Sequence, residues 1–262
     1  AHANLTIEGL AGAYGDDRNN ILNASGAQIQ VVISGGGGDD QIIGGDGDDL
    51  VTGGWGADTI HAGAGHDVVM ADSQDDISGG AINGGDCYDK LIVSEETTLN
   101  ITDLSLTEFE AVEAGGGHDF VQAIDDGSYA VSGNDGNDTL IMGAGHDVLS
   151  GGDGQDSLDG GDGNDRLFGG ADQDTIVGGD GEDFVAGGAG NDNLNGGADD
   201  DVYFYDRGDG HDTIHDYAEG IFEMRIDDQI SYDYNVQVQR GSGKNKSYVN
   251  ELRTGFVATN AY

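Results

Sequence analysis

Twelve aspartates stand nine residues apart in two runs. The first run is Asp40, Asp49, Asp58 and Asp67; the second is Asp138, Asp147, Asp156, Asp165, Asp174, Asp183, Asp192 and Asp201. Each closes a glycine-rich hexad such as GGDGDD or GGDGND. Glycine reaches positive φ without a Cβ penalty, so the peptide carbonyls of such a hexad can converge on one point beside the carboxylate. Carbonyl and carboxylate oxygens together are the donors of a hard cation, and calcium takes six to eight of them. Two carboxylates brought close repel each other, and a dication between them reverses that sign. The chemistry these residues suit is therefore cation binding.

The elements that must position them follow from the same period. From Gly35 the chain reads GGGGDDQII, GGDGDDLVT, GGWGADTIH, AGAGHDVVM. A longer block runs GNDGNDTLI from Gly133, then MGAGHDVLS, GGDGQDSLD, GGDGNDRLF, GGADQDTIV, GGDGEDFVA, GGAGNDNLN and GGADDDVYF, ending at Phe204. The eighth position is large and apolar: Ile42, Val51, Ile60, Val69, Leu140, Leu149, Leu158, Leu167, Ile176, Val185, Leu194 and Tyr203. Nine residues divide into a six-residue turn and a three-residue strand whose middle side chain points inward. Two units close a coil, so each strand pairs with the strand eighteen residues away and the eighth positions stack into an internal ladder. The expected fold is all-β, a right-handed parallel β-roll that needs several repeats to bury anything.

The pattern predicts five segments. Residues 1–34 read as degenerate coils and 35–92 as a first metal-binding block. Residues 93–132 read as metal-free coils or a spacer, because LIVSEETTLNITDLSLTEFEAVEA is β-prone but poor in glycine before AGGGHDFVQ returns to the pattern with Asp119 and Val121. Residues 133–220 form the second block, with RGDGHDTIH from Arg207 as a displaced last repeat, and 221–262 a cap. That cap holds Glu223, Asp227, Asp228, Asp233 and Glu251 against Arg225, Arg240, Lys244, Lys246 and Arg253, so it is neutral and the charge lies upstream.

Composition narrows the function classes. A net charge of −42 on 262 residues with 50 glycines opposes compaction unless a cation is added, and it repels nucleic acid and anionic lipid. The single cysteine, Cys87, allows no intramolecular disulfide and reads as an apolar filler. No apolar run approaches a transmembrane length, and Ala1 to Leu10 lacks the pattern of a secretory signal. Neither a GxSxG elbow nor an HExxH helix is present, so no enzyme is expected.

Over Gly35 to Ile214 the chain resembles the RTX (repeats-in-toxin) family of haemolysin-type calcium-binding repeats. In that family a site joins the carbonyls of positions two and four and the Asp of one repeat to the carbonyls of positions one and three and the Asp two repeats on. The resemblance implies Gly36, Gly38 and Asp40 with Gly53, Trp55 and Asp58, and Gly45, Gly47 and Asp49 with Ala62, Ala64 and Asp67. A weaker site would join Gly54, Gly56 and Asp58 to Ala71, Ser73 and Asp76. The second block implies six more. Asn134, Gly136 and Asp138 go with Gly151, Asp153 and Asp156, and Gly143, Gly145 and Asp147 with Gly160, Asp162 and Asp165. Gly152, Gly154 and Asp156 go with Gly169, Ala171 and Asp174, and Gly161, Gly163 and Asp165 with Gly178, Asp180 and Asp183. Gly170, Asp172 and Asp174 go with Gly187, Ala189 and Asp192, and Gly179, Gly181 and Asp183 with Gly196, Ala198 and Asp201. Asp172 and Asp199 replace the fourth glycine and leave the turn geometry there open. The rule yields about nine calcium ions, bringing −42 to about −24.

Other residues read as structural. His66, His118, His146 and His211 sit at the outward fifth position, Trp55 shields a turn, and Tyr203, Phe204 and Tyr205 form an aromatic plug. The resemblance implies an extracellular, secreted protein, exported by type I secretion with an uncleaved carboxy-terminal signal and folded by calcium outside the cell. Two alternatives are a self-assembling surface-layer or adhesin component and a carbohydrate-binding module of a polysaccharide-modifying enzyme.

Overall fold

A computed structural model describes residues 4–6, 12–72, 81–93, 98–104, 107–205, 208–216, 223–226 and 237–240. The chain divides into two units, Ala1–Ala123 and Ile124–Tyr262. Both are all-β and parallel, the β-solenoid expected from the repeats, and no helix among the described residues is long and apolar enough to cross a membrane.

In the first unit, strands alternate between two sheets as far as Val93, after which Asn100–Ile101 and Phe120–Gln122 pair in a third. One sheet holds Asn4–Thr6, Ile21–Asn23, Gln41–Ile43, Thr59–Ala64 and Ile82–Asp86; the other holds Gly12–Tyr14, Val32–Gly37, Leu50–Trp55, Val68–Ala71, Lys90–Val93 and Ala111–Glu113. Within the repeats the register step is eighteen, with Ile42 beside Ile60 and Val51 beside Val69. Outside them it lengthens: Ile60 lies beside Ile82, Val69 beside Leu91, and Leu91 beside Val112.

The second unit repeats the design more regularly. Ala130–Asp135, Val148–Asp153, Arg166–Ala171, Phe184–Ala189 and Val202–Tyr205 form one sheet; Thr139–Ile141, Ser157–Gly163, Thr175–Asp180, Asn193–Ala198 and Thr213–Asp216 form the other. Glu223–Ile226 pairs with Val202–Tyr205, and Gln237–Arg240 with Thr213–Asp216; the rest of the expected cap lies outside the described residues.

The eighth-position residues of both blocks are the core, each at most 1% exposed. Burying one such side chain is worth roughly 1.5–3 kcal/mol, and only its neighbours in the stack can bury it. Their flanks point out: in Thr175–Asp180 Thr175 is exposed, Ile176 buried and Val177 half-buried. The regular strands run six residues rather than three, because the opening glycines of the next repeat also pair, as Gly152 does with Gly170.

Two side chains differ from expectation. Cys87 is exposed in a turn at φ 99°, not an apolar filler. Tyr203 and Tyr205 are buried, but Phe204 faces outward against Phe184, ring centroids 6.1 Å apart, so only the tyrosines fill the interior. The four GHD histidines are exposed, as their repeat position implied.

Candidate metal centre

Each sixth-position aspartate is fixed by the coil before it. The backbone N–H groups of Asp40, Asp49, Asp138, Asp147, Asp156, Asp165, Asp174 and Asp183 donate to Oδ1 of Asp58, Asp67, Asp156, Asp165, Asp174, Asp183, Asp192 and Asp201, at 2.6 to 3.0 Å. One carboxylate oxygen is thus used to hold register. The other is not: Oδ2 of Asp40, Asp67, Asp147, Asp156, Asp165, Asp174, Asp183 and Asp192 is buried with no hydrogen-bond partner. A buried carboxylate oxygen left in that state is costly unless a cation completes it.

Backbone oxygens converge on the same points. A Cβ built on Gly151 would run into Asp156 Oδ2 and the Gly169 carbonyl oxygen, and the same pairing recurs at Gly35, Gly133, Gly160, Gly169 and Gly178. Each first-position glycine therefore lines a cradle shared by its own aspartate and the first-position carbonyl of the next coil. The second- and fourth-position carbonyls point along the stack, those of Gly36 and Gly38 at Gly54 and Gly56, and those of Gly143 and Gly145 at Gly161 and Gly163. Third-position carbonyls accept the fourth-position N–H of the coil before, as Trp55 does from Gly38 and Asp153 from Gly136, both at 2.7 Å, leaving one lone pair each. Trp55, Ala64, Asp153, Asp162, Ala171, Asp180, Ala189 and Ala198 offer only backbone at this position, which is why their side chains vary.

The irregular positions separate into those that keep the turn and those that do not. Asn134, Asp172 and Asp199 hold φ of 72°, 73° and 71°, so the left-handed turn survives without glycine. The turn Gly44–Asp49 departs instead. Neither Gly45 nor Gly47 takes a left-handed φ, and the Gly45 N–H donates to Asp49 Oδ2 at 2.8 Å, occupying the oxygen that is open elsewhere. Ser73 and Asp76 lie outside the described residues. The eighteen-residue rule that paired Asp58 with Asp76 does not hold there, since Ile60 lies beside Ile82.

Further rungs lie outside the nine sites that the RTX pattern implies. Asp67 N–H donates to Asp89 Oδ1 at 2.7 Å, Asp192 N–H to Asp212 Oδ1 at 3.0 Å, and Leu99 N–H to Asp119 Oδ1 at 2.6 Å. Asp89 and Asp212 close the hexads GGDCYD and RGDGHD, degenerate or displaced repeats to which the RTX pattern assigned no site. A second ladder runs outside: the fifth-position side chains of Asp39, Asn137, His146 and Asn164 accept the fifth-position N–H one coil on, from Ala57, Gln155, Asn164 and Glu182. The histidine of GHD takes the acceptor role of Asn or Asp.

The electrostatics agree with the geometry. Burial, with neighbouring carboxylates added, pushes Asp67, Asp147 and Asp192 up to about 6 and Asp89, Asp174, Asp183 and Asp212 up to about 7; Asp40, Asp49, Asp156 and Asp165 are also raised, chiefly by burial. Arg18 pairs with Asp16 and Lys90 with Glu113, neither of them on the ladder. Among those residues no three His, Cys, Asp or Glu side chains converge as a transition-metal site requires. An open carboxylate oxygen and a backbone carbonyl oxygen in each cradle are donors of the kind a hard divalent cation takes.

Comparison with known proteins agrees. No curated protein matches the chain. The family described as RTX calcium-binding nonapeptide repeat (4 copies) matches residues 34–69, 56–78, 132–167, 141–176 and 177–214, the segments that build the cradles. Over residues 34–78 and 132–214 the chain belongs to the RTX calcium-binding nonapeptide repeat family.

Proposed function

We propose that this chain is an extracellular module folded by calcium, with no catalytic role of its own, serving a larger secreted or surface protein. One observation supports this most: in coil after coil a buried, unpartnered Asp Oδ2 shares a cradle with the first-position carbonyl of the next coil. The cradles suit the sites implied by the RTX pattern, with two qualifications, the altered turn at Gly44–Asp49 and the lengthened register after Asp58. Bound calcium supplies positive charge that offsets the buried carboxylates and links successive coils. Metal that binds only the folded state stabilises it by RT ln(1 + [L]/Kd) per site. A chain of charge −42 then stays unfolded where calcium is scarce, a state suited to threading through a type I exporter, and folds where calcium is plentiful.

A second reading is supported by the outer face of one sheet of the second unit. Phe168, Phe184 and Phe204 line up across adjacent strands, centroids 5.7 and 6.1 Å apart, and the Arg166 guanidinium lies 5.2 Å from the Phe184 centroid. The opposite sheet presents Ser157, Asp159, Thr175, Asn193 and Asn195. An aromatic face of this kind suits a partner, either a second copy in a surface assembly or a polysaccharide.

The test is a far-UV circular dichroism titration with calcium, with magnesium as control and light scattering on the same sample. A cooperative coil-to-β transition specific to calcium is expected. Complete β structure in chelator would overturn the metal-driven folding, and scattering that rises with calcium would favour assembly over the monomeric module.

A further inference from the structure

The metal-binding repeats lapse after residue 78, yet the cradle is built once more from residues that match no repeat. Asp89 is fully buried, and its Oδ2 has no hydrogen-bond partner. Its N–H, which in the regular coils donates to the aspartate of the next coil, donates instead to Glu110 Oε2 at 2.8 Å. A Cβ on Gly84, the first-position glycine of this turn, would meet Asp89 Oδ2 at 2.8 Å and run into the carbonyl oxygen of Glu108. Glu108 holds a left-handed φ of 55°, and Gly84 N–H donates to the Thr107 carbonyl at 3.0 Å. Glycine, buried Oδ2, carbonyl from the next coil and N–H-accepting carboxylate are the same four parts found at Gly151, Asp156, Gly169 and Asp174. The nearby cation Lys90 is engaged by Glu113.

We infer that a further divalent cation site lies between the turn Gly84–Asp89 and the segment Thr107–Glu110. Asp89 Oδ2, the Glu108 carbonyl and the Glu110 carboxylate supply oxygens. Glutamate replaces aspartate because the segment returns twenty-one residues on, not eighteen, and the extra methylene spans the altered path. The rung thus joins the end of the block 35–92 to the stretch 93–132, which was expected to be metal-free. The inference rests on the calcium reading above.

The test counts calcium bound by the full chain in equilibrium dialysis with radioactive calcium. Glu110→Gln keeps an oxygen for the Asp89 N–H but loses the charge, and it is expected to bind one calcium fewer than the parent. Asp126→Asn removes the same charge from an exposed side chain outside the site, and it is expected to bind the full number. An unchanged count and affinity in Glu110→Gln would overturn the inference. A parent chain that binds no calcium would instead overturn the proposed function. If Glu110→Gln does not fold, carbodiimide footprinting of the parent in saturating calcium decides. Glu110 is expected to be protected while Glu108 is labelled, and equal labelling refutes the site.

Discussion

Asp174→Asn isolates the role of charge in the ladder. Asparagine keeps an oxygen for the Asp156 N–H, which Asp174 accepts at 2.9 Å, and it keeps the volume of a fully buried side chain. It loses the charge that two successive sites share, the one closed with Asp156 and the one closed with Asp192. At calcium a hundredfold above Kd, one site is worth about 2.7 kcal/mol, so loss of both costs about 5 kcal/mol. For about nine equivalent sites, the calcium needed to reach the folding midpoint rises roughly two- to fourfold, and the transition becomes shallower. Circular dichroism titrations of the full chain read both quantities. Asp162→Asn is the control: it removes one charge from an exposed third-position side chain and should leave the midpoint in place. In chelator the sign reverses, because Asp174 is pushed up to about 7 by burial and its neighbours, so asparagine favours the metal-free fold. Equal midpoints for Asp174→Asn and Asp162→Asn would refute the argument that the buried carboxylates are ligands.

Other consequences can be checked directly. Gly151→Ala, whose Cβ would run into Asp156 Oδ2 and the Gly169 carbonyl oxygen, should raise the calcium midpoint and lower thermal stability. Gly26→Ala, with nothing within 4 Å of its Cβ, should change neither. Leu167→Ala opens a cavity in the internal ladder at a fully buried position and should cost about 2–5 kcal/mol in urea denaturation at saturating calcium. The pH dependence follows from the raised aspartates, which bind protons more tightly folded than unfolded. Stability of the metal-free fold should therefore fall as pH rises from the ordinary aspartate value of 3.8 toward about 7. Acidification below about 6 should raise the calcium midpoint, since protons compete for the same oxygens; a midpoint independent of pH would sink that account.

The period of nine was legible because it is local: a strand residue that must face the interior recurs with the coil, and Ile42 or Leu167 announces itself by position alone. The aspartates were legible for the same reason. What escaped were features that depend on where a coil closes. Asp89 and Glu110 come into line only because the chain takes twenty-two residues from Val69 to Leu91 and twenty-one from Leu91 to Val112, and no count of repeats contains those detours. The altered turn at Gly44–Asp49 keeps a regular repeat sequence, so nothing in its residues foretells that Gly45 N–H takes Asp49 Oδ2. The fifth-position ladder was hidden because Asp, Asn and His share only an acceptor atom there, which matters once coils stack.

By itself the amino-acid sequence determined the parallel solenoid, its apolar ladder and its calcium-binding repeats, because each follows from residue type at a fixed short period. Only the tertiary structure decided which carboxylate oxygen holds register and which is left open. It also decided that one rung is completed by a glutamate outside the repeats. Both depend on the register between coils, which is set by how the intervening chain packs rather than by the repeat itself.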